Sequence, residues 1–530
     1  MSQHRLRSLA AAPLCLALSA ALATAVPAAA TAADAPVVST TDGSVLGTAT
    51  ATGRQFLGIP YAAPPVGSLR WQPPQPVAPW TGVRSAQAFG PHCAQPSKPP
   101  LGTGSTSEDC LYLNVYTPAS PPKRPLPVMV WIHGGALTIG QSDDYDPQRL
   151  VGNGAVVVSL NYRLGALGFL AHPALADHAG GPSGDYGLMD QQAALRWVQR
   201  NAGAFGGDPG NVTVFGESAG GLSVLSQMAS PGAQGLFQRA IVESGAYNPT
   251  QRSLADAEQA GETFAAKAGC LDQSAECLRA LPVSTILSDQ NSGGYTPNID
   301  GRTLTESLAT AFASGRFNQV PVINGSNHDE YRLFVALAEQ SGVKVTPLTY
   351  VPLISIALSV DPLTAMKIAQ EYPLSDYPSP PVALGAAGTD AGFACSALNM
   401  DKSLSRFVPT RAYEFNDENA PVLKLPPVSF PYGAFHGAEV QYVFNTSTEP
   451  VSGGLSASQI QLADAVQRYW TDFAANGDPG ARGVPVWPQF SAGNPAMASF
   501  APPSPATETA FEADHHCRFW NNLGVLGLNR

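Results

Sequence analysis

Val212-Thr-Val-Phe-Gly-Glu-Ser-Ala-Gly-Gly-Leu-Ser-Val-Leu-Ser-Gln-Met228 begins as a β-branched run and ends as an apolar segment with helical spacing. Between them lies Gly216-Glu-Ser-Ala-Gly220, a strand–turn–helix signature that presents a serine at the tip of a sharp turn. Glycines are needed on either side because the turn is too tight for a Cβ at those positions. Ser218 is therefore the candidate nucleophile, at the start of a helix and beyond the end of a strand.

Buried-strand signals recur on both sides of this segment. Val128-Met-Val-Trp-Ile132 and Val156-Val-Val-Ser-Leu160 precede it; Ala240-Ile-Val242, Val320-Pro-Val-Ile323 and Ala412-Tyr-Glu-Phe415 follow. Tyr186 to Ala204 carries Leu188, Ala194, Leu195 and Val198 at near-helical spacing. Apolar strands separated by helix-length segments predict an α/β fold: a large, mostly parallel twisted sheet with helices on both faces. Val37 to Trp80 reads as short antiparallel strands followed by a Pro-rich loop, and residues 340–410 as a helical cap over the site. No repeat and no linker divides residues 34–530, which are expected to form one domain.

A serine needs a base and the base needs an acid, and in this topology the order along the chain is Ser, acid, His. Five of the nine histidines precede Ser218, and His328 adjoins the acid candidates. His436, in the Gly-flanked loop Gly433-Ala-Phe-His-Gly437, is the expected base, whereas His515 and His516 read as residues of a polar tail. The strand Val320 to Ile323 leads into the loop Asn324-Gly-Ser-Asn-His-Asp-Glu330, and sequence physics leaves Asp329 and Glu330 both open as the acid. His133-Gly-Gly-Ala136 follows a buried strand and can bring backbone N–H donors to a developing oxyanion; the Ala219 N–H, at a helix N-terminus, supplies another.

The composition narrows the function further. The 530 residues are 44% hydrophobic and 13% charged, with 51 glycines and 48 prolines, enough for a large core and many loops. A net charge of −11 without any Lys/Arg run argues against nucleic acid and against a polybasic membrane footprint. Arg5 and Arg7, the uncharged run Leu9 to Val26 and the small residues Ala28 to Ala33 predict a secretory leader over residues 1–33. No later stretch reaches the roughly 20 apolar residues of a membrane span. Cys93, Cys110, Cys270, Cys277, Cys395 and Cys517 remain, and an even count in an exported chain reads as disulfides. Close spacing pairs Cys93 with Cys110 and Cys270 with Cys277, which leaves Cys395 with Cys517; none of these spacings resembles a zinc site.

With these motifs the sequence resembles the type-B carboxylesterase/lipase family, which includes cholinesterases, fungal lipases and bacterial p-nitrobenzyl-type esterases. The resemblance runs from about residue 37 to the C-terminus. It is carried by Phe205-Gly-Gly-Asp-Pro-Gly-Asn-Val-Thr-Val-Phe-Gly-Glu-Ser-Ala-Gly-Gly221 and Glu108-Asp-Cys-Leu-Tyr-Leu-Asn-Val115, together with Asn161 to Phe169 and Gly187 to Gln191. It implies an α/β-hydrolase fold, Glu330 rather than Asp329 as the acid, and His436 as the base within a His-Gly-x-Glu pattern ending at Glu439. Gly135, Ala136 and Ala219 match the family's oxyanion donors, and Glu217 and Ser244 match residues that support the triad, Ser244 by orienting the acid. Arg70 with Glu108 and Arg163 with Asp190 match structural ion pairs.

Departures from the family pattern bear on the substrate. Ala94 to Asp109 contains no aromatic, unlike the tryptophan-bearing loop with which cholinesterases hold quaternary ammonium. The same loop is short for a lipase lid. Ser292-Gly-Gly294 replaces bulky acyl-pocket residues and implies a roomier pocket, and Leu137, Leu222 and Phe334 are expected to wall the site. The expectation is a secreted, cofactor-free and metal-free serine carboxylesterase acting on small-molecule esters, with no stable membrane insertion. A lipase for long-chain acylglycerols is the alternative, and a non-catalytic adhesion module is the rival from outside enzymes. The sequence bears no signature of an oligomeric interface.

Overall fold

The β-branched runs that lack polar alternation occupy the centre of an 11-stranded sheet in the computed structural model. The structure describes residues 35–176, 181, 183–290, 294–422, 425–444, 454–480 and 483–527. The expected leader over 1–33 lies outside the described residues, as do Ser292 and Gly293 of the expected acyl pocket. In chain order the strands are β1 (Thr48–Ala49), β2 (Gly53–Pro60), β3 (Tyr112–Pro118), β4 (Leu126–Ile132), β5 (Val156–Leu160) and β6 (Gly207–Glu217). They continue with β7 (Arg239–Glu243), β8 (Val322–Asn327), β9 (Thr410–Phe415), β10 (Met497–Phe500) and β11 (Ala506–Glu508).

Their spatial order is β1-β2-β3-β5-β4-β6-β7-β8-β9-β10-β11. From β5 to β10 every neighbouring pair is parallel, while β1 to β3 on one edge and β11 on the other join antiparallel. Both faces of the parallel region are covered, and successive residues alternate between two apolar clusters. Met129, Trp131, Val157, Phe215 and Ile241 pack on one side. Val128, Val130, Ile132, Val156, Val214 and Val242 pack on the other. Each such fully buried side chain contributes roughly 1.5–3 kcal/mol, which is why these strands read as unbroken apolar runs.

Helices α1 (Tyr186–Asn201), α2 (Ala219–Ala229), α3 (Arg332–Gln340) and α4 (Ala457–Asn476) flank the sheet and the site. Ser456 and Gln459 form a reciprocal capping box at the start of α4, which ends at Gly477 with φ 78°. Buried Arg163, just beyond β5, donates from Nε and Nη2 to the two Asp190 oxygens at 2.8 and 2.7 Å and so ties the sheet to α1. Arg70 grips Glu108 in the same forked way. Disulfides join Cys93 to Cys110, Cys270 to Cys277 and Cys395 to Cys517.

Two readings of the sequence need correction. β8 does not end at Ile323 but continues to Asn327, because Asn324 to Asn327 stay in register with Ala412 to Phe415 of β9. The side-chain NH₂ groups of its two asparagines find distant acceptors; Asn324, for example, donates to Asp401 Oδ1 at 2.9 Å. Residues 340–410 are largely helical, as expected, but they do not wall the cavity beside Ser218. Among the described residues, no single helix is long and apolar enough to cross a membrane.

Candidate active site

The loops that leave the C-terminal ends of β4, β6 and β8 converge with the loop carrying His436, at the sheet edge where open α/β folds place their ligands. Ser218 sits between β6 and α2 with φ 57° and ψ −120°, a strained conformation for a residue with a Cβ. The flanking glycines make that turn possible. A Cβ on Gly220 would lie 2.0 Å from the Ile132 carbonyl oxygen, and one on Gly216 would lie 2.6 Å from the same atom. The Ser218 N–H donates to the Glu243 carbonyl at 2.8 Å, which anchors the turn to β7.

His436 Nε2 lies 2.7 Å from Ser218 Oγ, and its Nδ1 lies 2.5 Å from Glu330 Oε2. The structure therefore brings Glu330, and not Asp329, to the imidazole. The other oxygen of Glu330 accepts the Asn327 N–H at 2.7 Å. Glu330 is fully buried and His436 7% exposed, whereas Ser218 is half-buried. Glu217 Oε1 stands 3.2 Å from His436 Nε2. Burial pushes the Glu217 carboxyl up to about 7, with His436 opposing the shift and Glu330 adding to it. Burial disfavours the charged ring of His436, but the carboxylates of Glu217 and Glu330 outweigh it and hold the ring above its ordinary value.

Gly135, Ala136 and Leu137 form a turn with φ of 100°, 54° and 58° in succession. The turn packs against Ser218: a Cβ on Gly134 would lie 3.2 Å from the Ser218 Cβ. The N–H groups of Gly135, Ala136 and Ala219 donate to no protein acceptor among the described residues, so three donors remain for a ligand. His133 is buried, stacks on Tyr162 at 4.5 Å, and is lowered to about 4 by desolvation; it braces the turn as a neutral ring.

A cavity of about 590 Å³ opens onto Ser218, Glu217 and His436. Its apolar walls come from Pro99, Pro100 and Leu101 of the Cys93–Cys110 loop, Ile139 and Tyr145, and Leu333, Phe334 and Leu337 of α3. Pro421, Leu425, Phe435 and Val440 close the remaining side. Of the three expected wall residues only Phe334 lies there. Leu137 and Leu222 are corrections: at 1% and 0% exposure both belong to the core beneath the site. Leu137 turns away because the backbone at 135–137 is left-handed, and Leu222 because the face of α2 that carries it packs on the sheet.

Sequence reading missed several contributors. Ser244 Oγ makes no hydrogen bond among the described residues, and it is the Asn327 backbone that holds Glu330. The Asn327 side chain donates to the Phe435 carbonyl at 2.9 Å and to buried Glu439, so it spans the acid strand and the histidine loop. The Phe393 ring packs 4.9 Å from that of His436. Only Glu439, already part of the His-Gly-x-Glu pattern, carried a sequence signal; the others are placed by tertiary structure.

The tail reading of His515 is also corrected. His515 is 3% exposed, with Nδ1 2.6 Å from Asp390 Oδ1 and Nε2 2.6 Å from Glu414 Oε1. His328, Glu414 and His515 bring potential ligand atoms within 4.8 Å of one another, but two carboxylates on one ring describe an imidazolium clamp rather than a metal ligand. Burial lowers His515, yet Asp390 and Glu414 raise it well above 6.5, while Glu414, despite its burial, is held at about 2 chiefly by His515. The His515 contribution is complete below the unfolded value of about 6.5 and is lost as pH rises through the folded one; that of Glu414 is present above about 4.5 and lost toward pH 2. His515→Ala is expected to cost about 3–5 kcal/mol by stranding two buried carboxylates. Chemical denaturation of both proteins across pH should show the widest gap between about pH 4.5 and 6.5, narrowing on either side. A gap that widens above neutrality would contradict the clamp.

Comparison with known proteins matches residues 34–520 to the model of the carboxylesterase family. The chain is similar to the fumonisin B1 esterase of Sphingopyxis macrogoltabida, 36% identical over 489 residues that cover 88% of this chain and 87% of that protein. It is 38% identical to the para-nitrobenzyl esterase of Bacillus subtilis (strain 168), covering 86% of this chain and 92% of the relative. Carboxylesterase 1C of Rattus norvegicus is 34% identical, covering 86% and 88%.

Proposed function

The chain belongs to the carboxylesterase family, has the α/β-hydrolase fold and hydrolyses carboxylic esters, and we propose that it does so through an acyl-enzyme formed on Ser218. The observation that carries this reading is the unbroken chain Ser218–His436–Glu330, at 2.7 and 2.5 Å, facing the cavity. His436 Nε2 takes the Ser218 proton as Oγ attacks the ester carbonyl. The N–H groups of Gly135, Ala136 and Ala219 receive the oxyanion, and Glu330 stabilises the imidazolium. His436 then returns the proton to the leaving alcohol, and water repeats the steps to release the acid.

The substrate we propose is a small, uncharged ester whose acyl or alcohol part lies against the apolar walls of the cavity. Export is proposed with it, supported by three disulfides of the kind that persist in oxidising compartments and by the leader-like N-terminal sequence. Hydrolysis of p-nitrophenyl esters from acetyl to palmitoyl tests the reading. The rate should peak from acetyl to butyryl, with palmitoyl at least about tenfold slower. A peak at palmitoyl with a rate jump above substrate solubility would favour the lipase alternative.

A further inference from the structure

We propose that Asp329 is a positioning residue for the reaction: it staples the turn that carries Glu330 to the loop that carries His436. The inference rests on the triad reading above. Asp329 stands beside the acid in sequence, but its carboxylate points away from the imidazole. Oδ2 accepts the Ala434 N–H at 2.9 Å, and the Asp329 N–H donates to the Ala434 carbonyl at 3.0 Å. The two bonds form a closed ring between segments more than a hundred residues apart, two residues before His436 on one side and one before Glu330 on the other.

The carboxylate is itself fixed. Oδ1 accepts from Arg332 Nη2 at 2.8 Å and lies 3.1 Å from His328 Nδ1, and the Asp329 side chain is 5% exposed. A second observation comes from the opposite loop. Gly433 adopts φ 68°, and a Cβ there would lie 2.1 Å from Asp329 Oδ2 and 2.5 Å from Arg332 Nη1. The glycine thus lets the histidine loop close onto the carboxylate. By comparison, the direct backbone link between the catalytic partners, His436 N–H to the Glu330 carbonyl, is long at 3.4 Å. The Asp329 ring is tighter than that link and, beside the Asn327 bridge to the Phe435 carbonyl, it fixes where Nδ1 meets Oε2.

The test uses Asp329→Ala, Asp329→Asn and Gly433→Ala in the full chain. Active sites are counted by organophosphate labelling, so that misfolded protein does not enter the rate. Asp329→Ala and Gly433→Ala should each lower kcat per titrated site about 10²-fold, the loss produced by a misplacement of about 1 Å, with KM within about twofold. Asp329→Asn keeps an oxygen for the Ala434 N–H but sets its NH₂ against Arg332 Nη2, so it is combined with Arg332→Met, and that double variant should recover most of the loss. Wild-type kcat per site in Asp329→Ala, with only the number of sites reduced, would reduce the residue to a folding role and overturn the proposal. So would an Asp329→Asn, Arg332→Met double variant as slow as the alanine one, since charge rather than the staple would then matter. A wild-type protein that takes no label and loses no activity on Ser218→Ala would instead overturn the triad reading, and the proposal with it.

Discussion

Replacing Ser218 by alanine is expected to lower kcat by about 10⁴–10⁶-fold on p-nitrophenyl butyrate while leaving KM within a few-fold and the thermal midpoint unchanged. The size of the loss follows from what is deleted. Among the described residues Oγ is the one hydroxyl that His436 Nε2 reaches, at 2.7 Å, and the neighbouring Glu217 oxygen at 3.2 Å is a carboxylate that needs no base to remove a proton before it could attack. The residual rate measures what the N–H groups of Gly135, Ala136 and Ala219 and the cavity achieve without covalent chemistry. Stability should not change, because the turn is held by Gly216, Gly220 and the Ser218 N–H to the Glu243 carbonyl, all of which alanine retains. Mass spectrometry after organophosphate treatment should place the label on Ser218 in the wild type and nowhere in the variant. Equal turnover in the two proteins would end the acyl-enzyme reading.

The parts of this site that were legible in the sequence are those whose constraints are local. Gly216 and Gly220 announce the turn because no other residue fits it, and β4 and β5 announce themselves because both faces of the sheet are dry. The choice between Asp329 and Glu330 was not legible from residue chemistry. Two adjacent carboxylates at a strand end leave in different directions, and which one meets the imidazole depends on where β8 stops. β8 itself was read as ending too early because Asn324 and Asn327 look like loop residues until their partners Asp401 and Glu439 are in view. The cavity walls come from short pieces at 98–103, 134–145, 333–337 and 435–441, with Pro421 and Leu425, none with a period to detect. Leu137 and Leu222 show the reverse error, since sequence proximity to a site residue does not settle which way a side chain faces. β10 and β11, at four and three residues on the sheet edge, carry too little pattern to be seen.

Glu330→Gln should cost about 10⁴-fold in kcat with little change in KM, nearly as much as removing the nucleophile, although it changes one atom and almost no volume. The reason lies in the two hydrogen bonds of the carboxylate. If the amide NH₂ takes the Oε2 position, it donates toward His436 Nδ1, which forces the ring proton onto Nε2. Nε2 then faces Ser218 as a donor and cannot accept its proton, and Glu217 Oε1 at 3.2 Å stabilises that wrong tautomer. If the amide flips, its oxygen serves Nδ1 correctly, but the NH₂ now confronts the Asn327 N–H across 2.7 Å, donor against donor in a fully buried position. The first orientation satisfies both neighbours only by locking the wrong tautomer, and the second sets two donors against each other, so the loss should persist across substrates of any chain length. Glu330→Asp keeps the charge and shortens the reach by one methylene; it should lose only about 10²-fold, a misplacement rather than a reversal of the proton. The acid limb of the kcat/KM profile adds an independent sign. Burial pulls the His436 value down while Glu217 and Glu330 hold it above its ordinary range, so the glutamine variant, with one carboxylate left, should show that limb at lower pH than the wild type. A glutamine variant within tenfold of the wild type and with an unmoved limb would mean that Glu330 neither orients nor charges the imidazole, and the acid would have to be sought among Glu217 and Glu439.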